Sequence, residues 1–149
     1  MYTRIVVGID GSELANKALR HAVSLAKENH AKLFAVTATE STVLLAAGAE
    51  GMGANVGEII ADLEHVKANS AKATLAEAKT RASEQGVTIE GIHVASSTGA
   101  DAIISTANLE GADLIVMGSH GRRGLGRLLL GSQAAEVLAH STVPVLVVK

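Results

Sequence analysis

The residues best suited to chemistry lie in one stretch, GSHGRRGLGRLLLGS, from Gly118 to Ser132, with five glycines, three arginines and one histidine. Glycines at 118, 121, 124, 126 and 131 remove the side chains that would keep an anion away from backbone N–H groups. Ser132 stands where an apolar helical pattern begins, offering a hydroxyl and the positive end of a helix dipole. Arg122, Arg123 and Arg127 add positive charge nearby. A loose surface turn with solvated arginines would have the same composition. The position between the apolar run DLIVM and a helical segment favours a phosphate cradle instead.

Spacing narrows the kind of cradle. GRLLLGS has the two glycines and the serine of a Walker A loop but not its lysine. The first apolar run ends GIDGS, so no G-x-G-x-x-G dinucleotide fingerprint opens the helix that follows. The spacing present is G-x2-G-x9-G-S, filled by Gly118, Gly121, Gly131 and Ser132. A second polar feature, Asp10-Gly11-Ser12, closes the first apolar run. An aspartate before glycine often only makes a turn or caps a helix. In an open α/β sheet, however, ligands bind beyond the carboxyl ends of the strands, where strand order reverses. If strands one and four are neighbours, Asp10 and the Gly118 loop face one crevice.

The elements needed to hold them there can be read from periodicity. TRIVVGID, KLFAVTA (Lys32–Ala38), TIEGIHVA (Thr88–Ala95), DLIVM (Asp113–Met117) and VPVLVV (Val143–Val148) read as strands. Ser12 can cap a helix with Leu14, Ala18, Ala22 and Leu25 inward. A long helix is expected from about Glu58 to Gln85, with Ile59, Leu63, Val66, Leu75, Ala78 and Ala82 as its apolar stripe and Gly86 ending it. Two more helices are expected, at Gly99–Glu110 and Gln133–His140. Glu40–Gly57, with four glycines, reads as a mobile loop carrying a short helical piece. Strands separated by helices cannot form hairpins, so the fold class is α/β, a mostly parallel sheet with helices on both faces.

Composition excludes several function classes. At 149 residues with neither repeat nor linker, one domain spanning 1–149 is expected. A net charge of −2 gives no field for nucleic acid, and Tyr2 and Phe34 are the only aromatics available for stacking. No cysteine is present for a disulfide, a thiolate metal site or a thiol nucleophile. The six histidines, at 21, 30, 65, 93, 120 and 140, have no metal-ligand spacing, and only His120 lies in the motif. No apolar run is long enough for a membrane span and no signal sequence is evident, so a cytoplasmic protein is expected.

RIVVGIDGS, ADLIVMGSHGRRGLGRLLLGS and HSTVPVLVVK together resemble the universal stress proteins, in particular the subgroup carrying the G-x2-G-x9-G-S ATP-binding motif. The resemblance implies a Rossmann-like, adenine nucleotide α-hydrolase-like fold, an open five-stranded parallel sheet in the order 3-2-1-4-5. It implies that Gly118, Gly121, Gly131 and Ser132 hold phosphates, Asp10 sits by the ribose and the backbone around Val36 meets the adenine. Ser119, His120, Arg122 and Arg123 would cover the phosphates, with Gly11, Ser12 and Gln133 completing the set. The ligand would be ATP, AMP or ADP, the triphosphate bringing Mg²⁺ with it. The resemblance also implies a homodimer through the edge strand Val143–Val148, a tetramer being an alternative. One departure stands out: family members usually show Gly-x-Pro before the third helix, where this chain has Ser97-Thr98-Gly99. The expected function is nucleotide-dependent regulation in a stress response, through an unidentified protein partner such as a transporter or kinase. A slow ATPase or related adenylate-chemistry enzyme is the alternative. Asp10 and His120 are its candidate groups, and neither is flanked by a recognisable second catalytic group.

Overall fold

A computed structural model describes residues 1–42, 55–121 and 130–149. The chain runs β1 (Arg4–Gly8), α1 (Glu13–Asn29), β2 (Lys32–Thr39), α2 (Val56–Ser83), β3 (Ile89–Ala95), α3 (Gly99–Glu110), β4 (Leu114–Gly118), α4 (Ser132–His140) and β5 (Val145–Val148). The five strands form one parallel sheet in the order β3-β2-β1-β4-β5, as expected. Ile5 pairs with Leu114, Val6 with Ile115 and Val7 with Val116, which sets the carboxyl ends of β1 and β4 side by side.

Alternation along the strands builds a core on each face of the sheet. Ile5, Val7, Leu33, Ala35, Leu114 and Val116 pack with α1 and α2. Val6, Phe34, Val36, Ile115 and Met117 pack with α3 and α4. On α1, Ala18 and Ala22 are buried as expected, but Leu14 and Leu25 are only half-buried. The deep face turns toward Ala15, Leu19, Val23 and Ala26, because alanines let the helix approach the sheet while bulkier leucines sit at the margin.

The long helix departs further from the sequence expectation. It spans 28 residues, about 42 Å, against about 26 Å for the eight-residue β2. Its second half buries Ala71, Leu75, Ala78 and Ala82. Ile59, Leu63 and Val66 instead remain 52%, 40% and 64% exposed, because the helix is longer than the strands it crosses and, among the described residues, no strand lies beneath this half. The overhang is tied down elsewhere. Glu64 accepts from both the hydroxyl and the N–H of Thr42, and Lys67 Nζ donates to the Glu40 carbonyl at 2.6 Å. Those two Thr42 bonds hold the Glu64 carboxyl below the usual carboxylate range. After α2, Gly86 adopts φ +78°, the left-handed turn expected of it. The segment 43–54 lies outside the described residues, as does the expected short helical piece there.

At the amino end of the sheet, Asp113 latches β4 to β1. It accepts from Thr3 N (2.8 Å), Thr3 Oγ1 (2.8 Å) and Arg4 N (3.0 Å), while its own N–H donates to the Arg4 carbonyl (2.9 Å). Burial pushes its carboxyl up, but the bonds from the Arg4 N–H and from the Thr3 hydroxyl and N–H outweigh it and leave the pKa lowered. A carboxyl with a lowered folded pKa contributes stability above its unfolded pKa of about 4 and loses it as pH falls through the folded value. Asp113→Asn should therefore lower the urea midpoint at pH 7, and the gap from wild type should narrow below about pH 4. A gap that stayed constant from pH 7 to 3 would contradict the latch. Among the described residues no helix is long and apolar enough to cross a membrane.

Candidate functional site

The Asp10 turn forms because Gly11 takes φ +79°, which lets Asp10 Oδ1 accept from Ser12 N at 2.9 Å. Ser12 then caps α1, its hydroxyl accepting from Ala15 N at 3.2 Å. Asp10 thus makes the local turn that an Asp-Gly pair predicts. It also reaches the second motif: a Cβ on Gly121 would sit 2.8 Å from Asp10 Oδ2. The two sequence features expected to share one crevice are in contact.

The Gly118 loop is close-packed in the same way. A Cβ on Gly118 would lie 3.0 Å from the Leu14 backbone carbon and 3.2 Å from the His120 carbonyl. A Cβ on Gly131 would lie 3.0 Å from the Ser119 carbonyl and 3.3 Å from His120 Cα. Gly131 N donates to Ser119 O at 2.7 Å, and Ser119 N donates to Val148 O at 2.8 Å. Ser119, 2% exposed, is therefore pinned between β5 and the start of α4, and its hydroxyl meets His120 Nδ1 at 3.0 Å. Arg122 and Arg123, and Arg127 with them, lie outside the described residues.

The helix N-termini at this end of the sheet differ in a way that matters for anion binding. On α1 Ser12 supplies the cap. On α3 Thr98 Oγ1 accepts from Asp101 N at 3.1 Å, and Gln133 Oε1 accepts from Ala100 N at 2.7 Å. Among the described residues no side chain caps α4, whose N-cap is Gly131 and whose first residue is the exposed Ser132. The first N–H groups of a helix need partners, and an uncapped glycine-flanked terminus leaves them open to an anion. The N-cap of α2, Asn55, makes no side-chain cap bond either, but it heads the overhanging helix rather than the Gly118 loop.

Two candidate residues have partners within the fold. Val36 lies three residues before the end of β2, which continues to Thr39. Its side chain is in the core and its carbonyl accepts from Ile9 N at 2.9 Å, so a second lone pair is what it can offer a ligand. Gln133 turns its amide oxygen onto α3, in the space left by the missing Cβ of Gly99. Sequence reasoning missed the Thr98 and Gln133 caps. Thr98-Gly99-Ala100-Asp101 does carry a helix-start signature, so half of that pair was available to it. The unusual Ser97-Thr98-Gly99 stretch is thereby structurally satisfied, with Ser97 N also donating to the Thr39 carbonyl at 3.2 Å.

Among the described residues no three His, Asp or Glu side chains gather where they could hold a metal ion. Two open clefts lie elsewhere: one of about 460 Å³ near Lys27, His30 and Lys32, the other of about 480 Å³ between Lys72, Lys79 and His93. Neither is lined by Asp10 or by the described residues of the loop.

The whole chain, residues 1–149, matches the family model described as "Universal stress protein family". Universal stress protein YxiE of Bacillus subtilis is 35% identical over 149 residues, covering 100% of both chains. The solved structure of MJ0577 from Methanocaldococcus jannaschii superposes with a TM-score of 0.85 at 29% identity, covering 100% of this chain and 96% of that one. A universal stress protein crystallised in complex with cAMP superposes with a TM-score of 0.69 at 30% identity, covering 98% and 95%.

Proposed function

The chain belongs to the universal stress protein family, and from that premise we propose that it binds an adenine nucleotide, ATP or its mono- or diphosphate, at the Gly118–Ser132 loop. The observation that carries this reading is the terminus of α4, flanked by Gly131 and Ser132 and capped by no side chain among the described residues, beside two neighbouring helices whose termini side chains already cap. The phosphates would lie against Gly118, Gly121, Gly131 and Ser132, with Asp10 toward the ribose and the Val36 carbonyl toward the base. Mg²⁺ would enter on a triphosphate rather than in a protein-built cage. A solved relative with cAMP bound supports the adenylate class of ligand.

Nucleotide occupancy would act as a regulatory signal read by a protein partner in the cytoplasm. The homodimer would form by pairing β5 with its symmetry mate. That strand is at the edge of the sheet and leaves Leu146 exposed, the kind of edge that recruits another chain. Equilibrium dialysis against ATP tests the binding. Wild type should retain nucleotide and Gly131→Ala/Ser132→Ala should lose about tenfold or more in affinity, from bonds to a charged group. Equal, poor retention by both would end the phosphate-cradle reading.

A further inference from the structure

The sheet has two edges, and they are built differently. β5 has four residues, VLVV, with no charge among them. β3 has seven, IEGIHVA, paired with β2 on one side, and among the described residues no strand pairs with its other side. An open edge offers a row of backbone N–H and C=O groups to any extended chain that can lie beside it.

The side chains along β3 determine what such a chain must carry. Alternation turns Gly91 and His93 toward α2, and Ile92 and Val94 toward the face shared with α3. Between β3 and α2 opens the cleft of about 480 Å³, lined in part by Lys72, Leu75, Lys79, Gly91 and His93. The His93 ring is held in place, its Nε2 standing 2.8 Å from Thr39 Oγ1. A Cβ on Gly91 would lie 3.0 Å from Lys79 Cε and 3.4 Å from Leu75 Cδ2, so the lysine stem lies over the strand where glycine leaves room. Lys67 and Arg81 of α2 pair with Glu64 and Glu77 on the same helix. Lys72 and Lys79 are exposed, and among the described residues neither forms an ion pair. The cleft thus has a positive rim, while Ile92 and Val94 on the opposite face are apolar and half-buried.

We propose that the β3 edge receives an extended segment of a partner protein in which acidic and apolar residues alternate. Its backbone extends the sheet, its carboxylates meet Lys72 and Lys79, and its apolar residues cover Ile92 and Val94. The two lysines are about 10 Å apart along α2, between the ~7 and ~13 Å that separate same-face positions of a strand, and their long stems reach either. A second copy of this edge fits less well. Pairing β3 with its own mate about a two-fold normal to the sheet keeps both α2 helices on one face. The two pairs of lysines would then meet in one groove, where like charges repel. The edge is built without the glycine loop, so its test and the dialysis test of nucleotide binding fail independently.

The experiment titrates the full chain with a fluorescent Glu-Val-Glu-Val-Glu-Val peptide and follows amide hydrogen exchange in the complex. The peptide should bind, more weakly as salt is added, and should slow exchange in β3. Glu-Glu-Glu-Val-Val-Val has the same charge without the alternation and should bind at least about fivefold more weakly, because it cannot fill both faces at once. Lys72→Glu/Lys79→Glu should keep the melting midpoint and lose about tenfold in affinity, whereas Lys72→Arg/Lys79→Arg should retain binding. Absence of binding, equal binding of the two peptides, unslowed exchange in β3, or full affinity in the glutamate variant would each overturn the proposal. Self-association of the free chain that protects β3 would assign the edge to a second copy and overturn it as well.

Discussion

Cutting Phe34 back to alanine should lower the unfolding free energy by about 3–5 kcal/mol, the largest loss expected from a single truncation in this chain. Phe34 is 2% exposed on β2 and is packed among Val6, Val36, Ile103 and Ile115 on the α3 and α4 face. That face contains no other aromatic, and it includes Ala100, Ala102, Ala107 and Ala134, which have nothing to extend into a void. The cavity would therefore stay open, which is when truncation costs most. At roughly 2–4 °C per kcal/mol for a chain of this size, the melting midpoint should fall by about 6–20 °C. Urea unfolding followed by circular dichroism measures it. A loss under about 1.5 kcal/mol would mean that the helices close over the gap.

The second large effect should be on binding with the fold retained. In Gly121→Ala the new methyl would sit 2.8 Å from Asp10 Oδ2. The atom in its way is the tip of a side chain, so the carboxylate turns aside and the backbone need not move. Stability should change by no more than about 0.5 kcal/mol. If Asp10 meets the ribose as proposed, nucleotide affinity should drop about tenfold or more through loss of a charged hydrogen bond. Gly57→Ala is the control, because a Cβ there meets nothing within 4 Å. Combining Gly121→Ala with Asp10→Asn should cost little beyond either change alone, since both remove the same contact. Wild-type binding by Gly121→Ala, measured by calorimetry, would separate the aspartate from the ligand.

The legible and illegible parts of this molecule divide by the range of the interactions that decide them. Strands and helices were readable because period-2 and period-3.6 patterns are local. The caps at Ser12 and Thr98 are also local, formed with the amide three residues on. Ile59, Leu63 and Val66 misled for the opposite reason. Their spacing is helical, but whether a helical stripe is buried depends on how far the neighbouring sheet extends, which no window on α2 contains. The Gln133 contact is likewise non-local: its partner, Ala100, lies 33 residues away.

By itself the sequence determined the α/β class, the glycine spacing Gly118–Gly121–Gly131 with Ser132, and the Asp-Gly turn after β1, because each depends on residue type and short-range backbone geometry. Only the tertiary structure decided that Asp10 touches the glycine loop, that among the described residues no side chain caps α4 as Ser12 and Thr98 cap its neighbours, and that one nitrogen of His120 is buried without a partner there. Those facts arise where β1, β4, α3 and α4 converge, and convergence is set by parallel pairing between strands more than a hundred residues apart in the chain.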